Sequence, residues 1–173
     1  LTSPTDGCVP INLFGAGSPS AAALDYIGGD QRLVSTIKQS NIGGDIQGEP
    51  FSTWAGPVSL VGGFEYRKES VNQSVDAGSL AGIFSIGNPK PLVGSYTVKE
   101  LFGETVVPLA KDLPFATSIE LNGAVRYTKY STSGAVTTWK LGGSWEPTDG
   151  IKLRVTRSRD IRAPSISELY SSF

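Results

Sequence analysis

From about residue 42 onward, apolar and polar residues alternate with period two, the spacing of a strand with two different faces. The alternation predicts six extended segments: 42–50, 56–68, 95–109, 115–131, 135–146 and 150–160. Several exceed the roughly 5–6 residues usual in globular strands. They match the roughly 9–11 residues a tilted strand needs to cross a bilayer. The connections alternate in size. Phe51–Gly56, Ala110–Pro114 and Pro147–Gly150 are short and turn-like, whereas 69–94 is long and polar, and 132–134 is the brief Thr-Ser-Gly. Membrane barrels put short turns on one side and longer loops on the other.

The two faces differ in charge. One carries Val58, Leu60, Gly62, Phe64 and Tyr66, then Leu101, Gly103, Thr105, Val107 and Leu109. It continues with Thr117, Ile119, Leu121, Gly123, Val125 and Tyr127, with Thr137, Trp139, Leu141, Gly143 and Trp145, and with Ile151, Leu153 and Val155. None of these is charged, although about four would be expected at random in a chain with 18% charged residues. The charges occupy the other face: Glu65, Arg67, Glu100, Glu104, Glu120, Arg126, Lys140, Lys152 and Arg154. An Arg or Lys at a bilayer midplane costs about 2–4 kcal/mol, whereas a lumen accepts it. Tyr66 and Tyr127 near one set of strand ends, with Phe115 and Trp145 near the other, suit two interfacial aromatic girdles. A soluble β-sandwich also alternates; strand length, aromatic ends and simple up-and-down order favour the barrel.

Residues 1–41, rich in Pro, Gly and Ser, read as a segment like an extracellular loop. One short helix is predicted within it, from Ser18-Pro19-Ser20 to Ile27, with Ser18 as cap, Pro19 in the first position and Gly28-Gly29 as stop. Strands occupy 42–160, and 161–173 begins another external loop. The expected fold class is thus all-β, an antiparallel up-and-down transmembrane β-barrel segment of about six strands with one short helix in an N-terminal loop.

Composition narrows the chemistry. With 15 Lys+Arg against 16 Asp+Glu, the net charge of −1 argues against nucleic-acid binding. There is no His, which removes the commonest general base and metal ligand. No apolar run reaches the length of a transmembrane helix. Met is absent and no signal peptide opens the chain, so a removed leader or an internal piece is expected. Cys8 has two readings: a small buried residue, or half of a disulfide whose partner lies upstream. No catalytic constellation or cofactor site stands out. Gly15-Ala16-Gly17-Ser18 lacks the third glycine of a dinucleotide fingerprint. Asp45, Glu49 and Glu65 fit no metal loop. Glu100 and Glu104 are four strand positions apart, about 13 Å, too far to cooperate as a glycosidase pair. The reading is not an enzyme.

Ordered motifs then point to a family. Cys8-Val9-Pro10-Ile11-Asn12-Leu13-Phe14-Gly15 with the Ser20–Ile27 stretch resembles a loop of TonB-dependent outer-membrane receptors. Gly63-Phe64-Glu65-Tyr66-Arg67-Lys68-Glu69 resembles a strand end of that family. Val98-Lys99-Glu100-Leu101-Phe102-Gly103-Glu104 through Val107-Pro108-Leu109 is similar to another of its strands. Ala124-Val125-Arg126-Tyr127 with Tyr130-Ser131 and Thr138-Trp139-Lys140 looks like a third motif. Arg162-Ala163-Pro164-Ser165-Ile166-Ser167-Glu168-Leu169 matches "R-A-P-S-x-x-E-L".

The resemblance implies a middle section of a 22-stranded-type barrel whose lumen holds a plug. It implies a Gram-negative outer membrane, lipid around the wall, and energised uptake of a scarce small-molecule ligand: siderophore, cobalamin or oligosaccharide. The plug domain of the same protein and the inner-membrane TonB complex would be partners through parts not present here. Glu65, Arg67, Glu100, Glu104, Glu120, Arg126 and Lys140 would face the lumen, against the plug or along the substrate path. Arg126 would pair with Glu120 or Glu104. Arg162, Ala163, Pro164, Ser165, Glu168 and Leu169 would form a loop base, with Arg162 and Glu168 as its clamp. The alternatives are a passive outer-membrane channel or a secreted β-rich binding module.

Overall fold

The computed structural model describes residues 7–170. Its elements are α1 (Ala21–Ile27), β1 (Leu33–Thr53), β2 (Gly56–Val75), α2 (Ala77–Ala81), β3 (Leu92–Leu113), β4 (Ala116–Tyr130), β5 (Gly134–Thr148), β6 (Ile151–Arg159) and α3 (Ile166–Tyr170). The six strands form one sheet in the order β1-β2-β3-β4-β5-β6, so each strand neighbours the next in sequence. The chain divides into two compact units, 1–35 with 73–91 and 36–72 with 92–173.

The predicted strands are all present; β1, β2, β3 and β5 run longer than the periodicity showed, while β4 and β6 are each one residue shorter at either end. β1 starts at Leu33, nine positions before the predicted start, so the 1–41 boundary is corrected. Its first residues, Leu33-Val34-Ser35-Thr36, are β-prone without clean alternation, and ladder hydrogen bonds do not require alternation. The short connections tighten to two residues each: Trp54-Ala55, Pro114-Phe115 and Asp149-Gly150. Gly150 takes φ +87°, the left-handed conformation such a loop needs. We call this side of the sheet the turn end. The other connections, 76–91 and 131–133, define the loop end.

Pro108 sits inside β3, where a missing N–H would leave a gap in the ladder. The structure meets this with a register shift between Pro108 and Ala110. The Thr53 hydroxyl donates to the Pro108 carbonyl at 2.7 Å and fastens the β1–β2 turn against the bulge.

In the first unit, Ser20, not Ser18, caps α1, and its hydroxyl accepts from the Ala23 N–H. Pro19 therefore lies before the cap and not in the first turn. Gly28 ends the helix as predicted. α2 was not foreseen. Asp76 caps it, accepting from the Ser79 N–H at 2.8 Å, and its second oxygen takes the Arg32 N–H at 2.9 Å. The Ser79 hydroxyl, which donates to Asp76 Oδ2 at 2.7 Å, and then these N–H bonds hold the Asp76 carboxyl down at about 2. Cys8 is exposed, so the buried reading fails. Beside it, the Tyr26 phenol is pushed up, first by a side-chain hydrogen bond with Cys8 and then by its charge.

In the second unit, the buried core is small. Val71, Tyr96, Val98 and Ile166 form it, with Leu92, Tyr130, Leu169 and Tyr170 packed around. It lies where α3 folds back onto the loop end of the sheet. The Tyr170 hydroxyl donates to the Ser95 carbonyl at 2.6 Å, and the Tyr170 ring fills the space where Gly94 has no side chain.

Candidate functional site

The registers of β3, β4, β5 and β6 turn the charge pattern into a surface. Directly opposite residues in an antiparallel pair share a face. One face therefore holds the rows Glu100–Thr128–Val136, Phe102–Arg126–Thr138, Glu104–Ala124–Lys140–Ser158 and Pro108–Glu120–Ser144–Arg154. The other holds Leu101–Tyr127–Thr137, Gly103–Val125–Trp139 and Leu121–Gly143–Val155. The charged and apolar faces of the sequence pattern are the two faces of one sheet.

On the charged face several of the ionic groups are joined. Arg126 Nη1 lies 3.2 Å from Glu100 Oε2, and the guanidinium sits over the Phe102 ring at 5.2 Å. Thr128 donates its hydroxyl to Glu100 Oε1 at 2.8 Å. The predicted pairing of Arg126 with Glu104 or Glu120 is thus corrected. The register puts Arg126 opposite Phe102, one diagonal step from both Glu100 and Glu104, while Glu120 lies six residues away along its own strand. The ring under Arg126 and the Thr128 hydroxyl beside Glu100 favour the Glu100 side. Glu120 instead accepts from the Ser144 hydroxyl at 3.4 Å. Arg67 bridges Glu65 and Glu69 along β2, both at 3.4 Å. The Glu69 contact comes from Arg67 Nε, which is buried and not aligned for a hydrogen bond.

A polar hollow of about 180 Å³ opens on this face, lined by Glu104, Ala124, Arg126, Thr138, Lys140 and Asp160 among others. It exists because the small Ala124 stands between Glu104 and Lys140 in the same row. Two carboxylates and two cations around a floor of one methyl group can hold a polar partner by hydrogen bonds. They offer no nucleophile–base pair. Among the described residues no group of three or more acidic, His or Cys side chains could hold a metal ion.

The RAPS segment, residues 162–165, leads into α3. Arg162 Nη2 meets Glu168 Oε1 at 2.6 Å. Glu168 Oε2 accepts from the Ser165 N–H at 2.7 Å, and the Ser165 hydroxyl accepts from the Glu168 N–H at 3.3 Å. This reciprocal pair is a capping box. Arg162 and then the Ser165 N–H hold the Glu168 carboxyl at about 2. Ile166 is buried and Leu169 partly so, and both pack against the loop-end core. The loop base is therefore a helix docked on the charged face.

The apolar face is uncovered. Leu101, Val125, Leu141, Leu153 and Val155 are each at least half exposed. A contiguous apolar surface of this extent marks contact with lipid or another protein.

The comparisons with known proteins settle the family. The TonB dependent receptor-like, beta-barrel family matches residues 6–173. This chain belongs to that family. The barrel strands are the six described above, and up-and-down order is the family's architecture. Among curated proteins, Vitamin B12 transporter BtuB of Vibrio vulnificus (strain CMCP6) is 29% identical over 112 residues, 65% of this chain. The chain spans only 16% of that relative's length. No solved structure matches.

Residues that sequence reasoning missed sit mainly at the loop end. Thr128 completes the Glu100 site, and Tyr96, Val98 and Val71 form the seat for α3. Ser165-x-x-Glu168 carried the capping-box signal for that helix. The apolar face is also not uncharged along its whole length. Lys99 lies directly opposite Lys129, and Arg157 and Arg159 lie opposite Leu141 and Trp139.

Proposed function

We propose that this chain is a wall section of an energised outer-membrane receptor, with its apolar face in lipid and its charged face toward a plugged lumen. The match to the receptor barrel family across 6–173 carries the reading. The segregation of charge across the middle of β3, β4 and β5 supports it, because a bilayer tolerates unpaired Arg and Lys only away from its midplane. Glu65, Arg67, Glu100, Glu104, Glu120, Arg126 and Lys140 line the lumen. Those already paired, Arg67 with its two glutamates and Arg126 with Glu100, stiffen the wall. Glu104 and Lys140, which flank the hollow, are the ones placed to meet the plug or a passing ligand.

Uptake in this reading draws on the proton-motive force through the TonB complex, and the wall serves binding and passage, not catalysis. Of the ligand classes the family resemblance allows, cobalamin has the added support of the relative's name. The test is uptake by cells expressing the full-length parent protein, with and without an uncoupler. Uptake of labelled cobalamin or ferric siderophore should collapse with the uncoupler. Uptake that ignores it would identify a passive channel instead.

A further inference from the structure

The polar hollow of the charged face is flanked by two charges that do not meet. Glu104 and Lys140 stand in one row with only Ala124 between them, two strand spacings or about 10 Å apart at the backbone. Both side chains are long enough to join across that gap, yet neither has a side-chain partner among the described residues. The hollow is bounded on both sides. Toward the loop end stands Arg126, spent on Glu100 and lying over the Phe102 ring. Toward the turn end the next row is closed. A Cβ on Gly142 would come within 2.6 Å of Asn122 Oδ1 and 3.1 Å of Thr156 Oγ1, so those two side chains fill the space over the glycine. Asp160 already accepts from the Ser158 hydroxyl at 2.6 Å.

The space left, about 180 Å³, is below the roughly 300–1,000 Å³ that encloses a whole small-molecule ligand. It takes one group of a larger solute. The charges around it balance, Glu104 and Asp160 against Arg126 and Lys140, so an ion of either sign meets like charge as well as opposite. A neutral group that both donates and accepts meets no repulsion. A primary carboxamide carries its N–H donors and its carbonyl on separate atoms, so it reaches an acceptor on one side and a donor on the other at once.

We propose that Glu104 and Lys140 clamp the primary carboxamide of a solute in the lumen. The Lys140 ammonium donates to the amide carbonyl, and the Glu104 carboxylate accepts from the amide N–H. The Ala124 methyl is the floor on which the amide-bearing carbon rests. The inference deepens the reading of Glu104 and Lys140 given above and rests on the lumen-facing assignment of this face.

The experiment is NMR of the full-length parent receptor in micelles, labelled with carbon-13 at its alanine methyls, the Ala124 signal being assigned by Ala124→Ser. A water-soluble gadolinium chelate should broaden that signal. Acetamide should shift it with saturation in the millimolar range, as suits so small a ligand. Acetate and methylammonium at the same concentration should not. Glu104→Ala and Lys140→Ala should each raise the half-saturation concentration at least fivefold, while Lys111→Ala at the turn end should leave it unchanged. A broadened signal that acetamide does not shift to saturation overturns the proposal alone, and this is also the result if a plug side chain fills the hollow. An equal response to either ion, unaffected Glu104 and Lys140 variants, or an equal effect of Lys111→Ala overturns it likewise. A signal that the chelate does not reach overturns it together with the lumen-facing assignment. If the variants do not accumulate, the comparison of the three small molecules on the unaltered receptor decides.

Discussion

Arg126 and Glu100 meet at 3.2 Å although the ladder does not set them opposite each other. Glu100 is nearly buried and also accepts from Thr128, whereas Arg126 remains well exposed. The carboxylate is the hub of the site, and the guanidinium reaches to it along the diagonal. This asymmetry makes the two partners unequal.

Glu100→Ala should therefore destabilise the full-length receptor more than Arg126→Ala does. Removing the carboxylate strands a buried Thr128 hydroxyl, and leaving a buried polar group unsatisfied costs about 1–3 kcal/mol. Removing the exposed arginine should cost less than about 1 kcal/mol, as for other solvent-screened pairs. Denaturant unfolding in micelles, followed by tryptophan fluorescence, measures both.

The Arg162–Glu168 pair gives the loop a pH signature. Glu168 titrates at about 2 in the fold, against an ordinary value of 4.5. A carboxylate with a depressed folded pKa stabilises the docked helix above pH 4.5, and that contribution is lost as pH falls from 4.5 toward 2. Arg162→Ala removes the largest cause and should move the Glu168 titration upward. The Ser165 N–H should still keep it below 4.5. Carboxyl-detected NMR of the receptor follows this titration directly, and an unmoved Glu168 would remove Arg162 as the cause.

Gly94 and Tyr170 predict how α3 is held. A Cβ at Gly94 would approach the Tyr170 ring to 2.5 Å, so Gly94→Val must displace the ring and with it the hydroxyl bond to Ser95. Proteolysis after Arg162 should become faster in this variant, with the strands still folded. Tyr170→Phe, which keeps the ring and loses one exposed hydrogen bond, should have a smaller effect. Equal cleavage rates in the two variants would contradict the ring's role.

The two faces should answer the same substitution differently. Leu121→Arg places a cation on the apolar face in the row Val107–Leu121–Gly143–Val155, which holds no charge, and should cost about 2–4 kcal/mol in a membrane barrel. Thr138→Arg, on the charged face in the lining of the polar hollow with Glu104 and Asp160 and directly opposite Arg126, should cost no more than about 1 kcal/mol. Folding into lipid vesicles, scored by heat-modifiable mobility, separates them.

Much of this was legible in the residues. Alternation around Val125, Leu141 and Val155 located the strands and sorted their faces, because a period of two leaves no choice of side. Strand ends were not legible. Residues 33–41 and 70–75 lie in strands although no side-chain alternation marks them. The short helices α2 and α3 were missed because each spans one or two turns, where a single cap outweighs periodicity. The partner of Arg126 required the register, since two glutamates on the same strand face lay equally near in sequence terms.

The central claim is that one face of β4 and β5 meets lipid and the other a polar lumen. Spin labels on single cysteines in the full-length receptor, in a Cys8→Ser background, test it most directly. Labels at positions 123, 125, 139 and 141 should relax with oxygen and resist a nickel chelate, and labels at 122, 124, 138 and 140 should do the reverse. A profile without this alternation, or water-exposed labels at 125 and 141, would contradict the account.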